Sequence, residues 1–100
     1  MVPSMSERTA PALTHLDVLL PLLKAQPASE HKARLVEEAE ALRRAVASFH
    51  MEAIRFRMHS VDRGIKSTGD DGTTRKVFED LRGALETAGF HTRSHSAPGT

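Results

Sequence analysis

The residues that could do chemistry concentrate between Phe49 and Arg63, where the sequence reads FHMEAIRFRMHSVDR. It holds two histidines, His50 and His59, and imidazole can serve as a general base, a metal ligand or a phosphoacceptor. At 100° per helical residue the two point to opposite sides, so one chain cannot use both on a single ion. His50 also lacks the lysine and glycine neighbours expected of a phosphoacceptor. We predict neither a metal site nor a catalytic residue here.

Four polar residues of this stretch share one helical face at three- and four-residue spacing: Glu52, Arg55, His59 and Asp62. An arginine between the glutamate and the histidine repels a metal cation and attracts both acids. The spacing therefore favours an ion-pair ladder on a solvated or interface face over a metal or acid–base site.

Other parts of the chain offer weaker candidates. His91 and His95 have the i, i+4 spacing of a helical metal pair, but they follow Gly89 in a tail rich in serine. The sequence contains no cysteine, which excludes disulfides, thiolate ligands and a cysteine nucleophile. Neither a glycine-rich phosphate loop nor a nucleophile motif is present. We predict no enzyme activity, no cofactor and no metal.

Charge and hydropathy limit the partners. Fourteen basic and thirteen acidic residues give a formal net charge of +1, without a polybasic segment. Basic residues between Arg55 and Lys76 could form a rim for nucleic acid, although acids interrupt it. The N-terminus lacks signal-peptide features, and the longest apolar run, Val18 to Leu23, is too short to span a bilayer. We expect a cytoplasmic protein that does not bind membranes.

The element that must position these residues is the stretch from Ser29 to Lys66. It has no proline, and its only glycine is Gly64. Two apolar stripes run through it at helical spacing: Leu35, Ala39, Leu42, Val46, Phe49, Ala53 and Phe56, then Met51, Ile54, Met58, Val61 and Ile65. This pattern predicts one unbroken helix over residues 29–67, about 57 Å long for 38 residues.

Shorter helices are predicted on either side, over residues 9–25 and 73–88. Pro21 should kink or divide the first of them, since proline cannot donate a helical hydrogen bond. Gly89 followed by Phe90 predicts a C-terminal cap in which the phenylalanine folds back on Leu85. Residues 1–8 and 91–100 are predicted to be a flexible arm and a disordered tail around one domain, 9–90.

The fold class that follows is all-α, with one long central helix, a shorter helix on each half, and a helical-bundle or coiled-coil-like oligomer. The flanking helices are too short to cover both stripes, so a second copy is expected to cover the rest. The predicted interface is Met51, Ile54, Phe56, Met58, Val61 and Ile65.

The function that this predicts is a non-enzymatic interaction protein, an adaptor, accessory subunit or scaffold, that binds itself and another protein. The main alternative is a nucleic-acid-associated regulator that uses the basic rim. A small helical enzyme or metal carrier is a third possibility.

Overall fold

The computed structural model describes residues 5–68 and 72–90, and that part of the chain is all α-helical, as predicted. Its four helices are α1 (Met5–Lys24), α2 (Glu30–Ala47), α3 (Met51–Lys66) and α4 (Thr73–Thr87). The predicted tail, 91–100, and the first four residues of the predicted arm lie outside the described residues.

The first helix, α1, is longer than the sequence pattern suggested. It begins at Met5 rather than Thr9 and continues through both of its prolines, Pro11 and Pro21, without being divided. The leucines Leu16, Leu19 and Leu23 are fully buried along one of its faces. Burial of this leucine face stabilises the helix enough to offset the hydrogen bond that Pro21 cannot make.

The prediction of one unbroken central helix is wrong. The chain leaves α2 after Ala47 and enters α3 at Met51, and α3 folds back against α2 as a helical hairpin. At the turn the His50 N–H donates to the Ala45 carbonyl at 3.0 Å, and the Phe49 N–H donates to the Val46 carbonyl at 3.2 Å. This is the Schellman pattern of a helix C-terminus, here with Phe49 at φ 57° where glycine is usual.

Polar side chains on either side of Phe49 complete the turn. The Ser48 hydroxyl donates to the Arg44 carbonyl at 2.8 Å, and the Ala53 N–H donates to His50 Nδ1 at 3.3 Å. His50 is thereby the N-cap of α3. His50 thus satisfies an N–H that the start of α3 leaves without a helical partner, and Ser48 adds a second hydrogen bond to a carbonyl that its own N–H already contacts.

The core draws on all four helices. Helix α1 packs against α2 and α4, α2 also packs against α3, and α3 touches α4 least. The largest buried side chains include Leu42 and Val46 of α2, Ile54 and Met58 of α3, and Phe78 of α4. The described residues form a helical bundle of 45 × 34 × 20 Å, so no helix overhangs the body.

The C-terminal cap of α4 confirms the prediction made for Gly89 and Phe90. Gly89 has φ 101°, its N–H donates to the Glu86 carbonyl at 3.0 Å, and the Phe90 N–H donates to the Leu85 carbonyl at 2.9 Å. The Phe90 ring then stacks on Phe49, with 6.5 Å between ring centroids. The residues that follow α2 and α4, Phe49 and Phe90, are therefore in contact.

Candidate binding groove between α2 and α3

The hairpin of α2 and α3 leaves an open groove of about 480 Å³ along one side. One wall consists of residues of α2 at helical spacing: His31, Arg34, Leu35 and Glu38. The other wall consists of residues of α3 and its C-cap: Phe56, His59, Ser60, Arg63, Gly64 and Ser67. This volume lies within the range of ligand sites in proteins, although the groove is open. Hereafter we call it the α2–α3 groove.

Gly64 sets how closely the two walls approach. A Cβ atom at this position would lie 2.6 Å from Leu35 Cδ1, which is closer than side chains pack, and Leu35 is only 2% exposed. His31 Nε2 lies 3.0 Å from the Gly64 carbonyl oxygen. Since a carbonyl oxygen only accepts, Nε2 carries the hydrogen in this contact. The groove thus has an apolar floor and a cross-helix hydrogen bond at one end.

The electrostatic character of the groove comes from two arginines on opposite walls. Within the described part of the chain, neither Arg34 nor Arg63 forms an ion pair. Glu38 is the one carboxylate that lines the groove, and Arg57 holds it at 2.8 Å. With its acid already paired and both arginines open to solvent, the groove carries an excess of positive charge.

An exposed aromatic ring lies at the other end. Phe56 is 60% exposed, and the guanidinium of Arg57 sits 5.1 Å from its ring centroid. Among the described residues, Val18 on α1 is the other large apolar side chain with comparable exposure. The α2–α3 groove therefore places an apolar contact surface beside its positive charge.

Most residues of the predicted interface are buried within the chain itself. Ile54, Met58, Val61 and Ile65 are at most 1% exposed and pack in the chain's own core. Met51 is partly buried against that core, and Phe56 alone of the six is exposed. The physical reason is the hairpin, which turns the second stripe inward onto the rest of the bundle. These four residues therefore offer no outer surface while α3 is packed.

The predicted polar ladder is divided between two sides of α3. His59 faces the α2–α3 groove, whereas Asp62 bonds Arg75 of α4 at 2.7 Å. Glu52 is exposed, and Arg55 makes no ion pair within the described residues. The Arg55 Nε atom is buried without a hydrogen-bond partner there.

The fold clearly shifts the pKa of Asp62. Burial alone would raise its pKa, but the hydrogen bond and charge of Arg75 outweigh that effect, helped by the charges of Lys66 and Arg82. The net result is a pKa below the ordinary aspartate value. Asp62 is therefore a structural anion at the α3–α4 contact, and it plays no part in the groove.

The α2 wall of the groove was missed by the sequence analysis. In a straight helix Arg34 and Arg63 would be about 44 Å apart, at 1.5 Å per residue. Only the turn at Ser48–His50 brings them to one groove, and no residue type in α2 indicates that pairing. Phe56 was singled out, but as part of a predicted self-association surface and not as one end of a groove shared with α2.

Other site classes have no support in the described residues. There, no three or more histidine, cysteine, aspartate or glutamate side chains are grouped to hold a metal ion. Across the same residues, no helix combines the length and apolar character needed to cross a membrane. Comparison of the chain with protein-family models, curated proteins and solved structures returns no match.

Proposed function

We propose that this chain is a non-enzymatic helical interaction protein whose α2–α3 groove binds an acidic segment of a partner protein. The observation that carries the proposal is that Arg34 and Arg63 line opposite walls of the groove, with no ion pair among the described residues, and that the exposed ring of Phe56 lines the same groove. Arginine and aromatic residues are the types that most often dominate binding energy at interfaces.

The groove's dimensions favour a short peptide segment. Its α3 wall runs from Phe56 to Ser67, about 17 Å at 1.5 Å per residue. An extended peptide of about five residues spans the same length. Such a segment would place carboxylates on the arginines of both walls and an apolar side chain on Phe56.

The nucleic-acid alternative is weakened by ion pairs along the predicted basic rim. Arg57 pairs with Glu38, Lys66 with Asp62, and Arg75 with Asp62 and Glu79. Lys76 likewise pairs with Asp80. Cations that are already paired release few counterions on binding a phosphate backbone, so they add little affinity for nucleic acid.

The test is fluorescence anisotropy with a fluorescein-labelled peptide in which glutamates flank a leucine and a phenylalanine. We expect binding that weakens as salt is added, because exposed charges are screened. Arg63→Ser should weaken it about tenfold, which corresponds to 1.4 kcal/mol. Phe56→Ser should weaken it by a similar factor.

The matched control is Arg44→Ser, which removes an exposed arginine from α2 outside the groove. Its affinity for the peptide should match that of the unsubstituted protein. Equal losses in Arg44→Ser and Arg63→Ser would reduce the effect to net charge and overturn the proposed site. A lysine version of the peptide that binds as well, or an RNA oligonucleotide that binds more tightly, would also overturn it.

A further inference from the structure

The turn between α2 and α3 combines a strained residue with a helix-compatible sequence. Phe49 has φ 57°, a left-handed backbone conformation that residues other than glycine and asparagine rarely adopt. Neither proline nor glycine occurs between Pro27 and Gly64, so nothing in the residue types prevents helical dihedrals at Ser48–His50. Tertiary packing therefore holds the bend, although the local residue types favour a continuous helix.

The packing that holds the bend joins the two halves of the chain. Helix α3 packs mainly on α2 and α4 mainly on α1, whereas α3 and α4 make little contact with each other. The second half, α3 with α4, therefore owes its burial to the first half. A first half from another copy presents the same surfaces.

Straightening the turn would make α2 and α3 one helix from Glu30 to Lys66. The apolar spacing continues through it without a register shift, from Val46 through Phe49 to Ala53. At 1.5 Å per residue this helix would be about 56 Å long, and its α3 half would have no partner within its own chain.

We propose that the chain forms an exchanged dimer, in which the turn at Ser48–His50 is helical and α3–α4 of each copy packs on α1–α2 of the other. The partner is a second copy, because only it presents the surfaces that α3 and α4 already bury. Exchange through a hinge is a common route to dimers.

The exchange also rebuilds the α2–α3 groove between copies. Each groove would take His31 and Arg34 from one copy and Phe56 and Arg63 from the other. The dimer would then carry two grooves, and the contact that closes each of them, Leu35 on Gly64, would become intermolecular. The inference does not depend on what the groove binds.

The test uses the absence of cysteine in the natural sequence. Spin labels attached to the substitutions Glu30→Cys and Lys66→Cys, both at exposed positions, report the state of the turn. In the hairpin the two labels lie at the same end of the helix pair. Within one copy of the exchanged dimer they are about 54 Å apart, at 1.5 Å per residue. Diluting doubly labelled protein with unlabelled protein isolates the distance within one copy.

A matched pair of variants supplies the second readout, Phe49→Ala and Phe49→Gly. Both remove the ring and its stack on Phe90, but alanine favours the helix and glycine favours the bend. By light scattering, we expect the dimer dissociation constant of Phe49→Ala to be at least tenfold lower than that of Phe49→Gly. The glycine variant should remain at the monomer mass of 11.0 kDa.

The proposal is supported if the dimer fraction of the unsubstituted protein shows the long distance within one copy and the two variants rank as stated. It is overturned if every form stays monomeric at millimolar concentration. It is equally overturned if the dimer keeps the short distance within each copy, since the copies then associate without exchange. Circular dichroism confirms that each variant is folded, and the unsubstituted protein decides the question alone if one is not.

Discussion

Helices α2 and α4 end with the same hydrogen-bond pattern but with different residues in the left-handed position. At the end of α4 this position is Gly89, which adopts φ 101° without a steric penalty. At the end of α2 it is Phe49, for which the left-handed region costs about 1–2 kcal/mol. One helix end is set by its own residues, and the other must be stabilised from elsewhere.

The stabilisation at Phe49 comes from tertiary packing. Turning back at this residue lets α3 bury Ile54, Met58, Val61 and Ile65. Full burial of each such side chain contributes about 1.5–3 kcal/mol, so the four together far exceed the strain at Phe49. A break in a helix can thus be determined by a distant core rather than by local sequence.

The largest effect should come from removing that core. Met58→Glu places an unpaired charge in a fully buried position and should destabilise the fold by about 3–5 kcal/mol. Circular dichroism should show a loss of helix content together with the thermal transition. Phe56→Glu, on the exposed side of the same helix, is the control and should keep both. Retained helicity in Met58→Glu would mean that α3 does not depend on this core.

The next effect comes from swapping the residue type in the left-handed position at each of the two helix ends. Gly89→Ala forces a Cβ into the left-handed region, 3.2 Å from the Arg8 side chain, and should cost about 1–2 kcal/mol. Phe49→Gly relieves the same kind of strain but loses the stack on Phe90, so its net effect should stay within about 1 kcal/mol. Urea unfolding of the monomer measures both. A larger loss in Phe49→Gly than in Gly89→Ala would contradict the comparison.

A smaller effect concerns the ion pair that joins α3 to α4, the helix that precedes Phe90. Asp62→Asn removes the charge facing Arg75 and should cost about 1 kcal/mol at neutral pH. The folded pKa of Asp62 is lowered, so the stabilisation is present above the unfolded value near 3.9. It is lost as pH falls through the folded pKa. Urea unfolding should therefore show the stability difference shrinking below about pH 4, and a constant difference would exclude this role.

The smallest effect should be a gain. Gly83 lies within α4 with open space around its Cα, so Gly83→Ala should stabilise the protein by about 0.5–1 kcal/mol through helix propensity alone. Gly64→Ala has the same propensity gain, but its Cβ would clash with Leu35 in the groove floor. Thermal unfolding should show a higher midpoint for the first variant and a lower one for the second. If both rise equally, the helices are not closely packed at Gly64.

Much of the fold could be predicted from the sequence because helix-forming and capping residues act over a few positions. Residue types over a few positions were enough to predict the helical class, the start of α2 at Ser29 and the cap at Gly89. The Ser29 side chain does accept from the Lys32 N–H, and the Gly89 cap forms as expected. The turn at Phe49 does not, since its residues favour a helix and the competing gain comes from α3 packing against the rest of the bundle.

The candidate site was less predictable for the same reason. His59 was singled out, but as part of a ladder with Asp62, and the hairpin sends these two residues to different neighbours. Arg34 and Arg63 acquire a shared role only after the chain reverses between them. A groove between two helices depends on their pairing, and the pairing was the part that local patterns predicted wrongly.

The α2–α3 groove and the strained turn at Phe49 both depend on α2 and α3 forming a hairpin within one chain. The most direct measurement is the nuclear Overhauser effect between the Leu35 δ-methyl protons and the Gly64 Hα protons, in the monomer fraction isolated by gel filtration. The hairpin predicts a strong signal, because Leu35 Cδ1 lies 2.6 Å from the position that a Cβ atom on Gly64 would take. Absence of the signal, with helical chemical shifts running unbroken through Ser48, Phe49 and His50, would show a straight helix in the monomer and contradict the account.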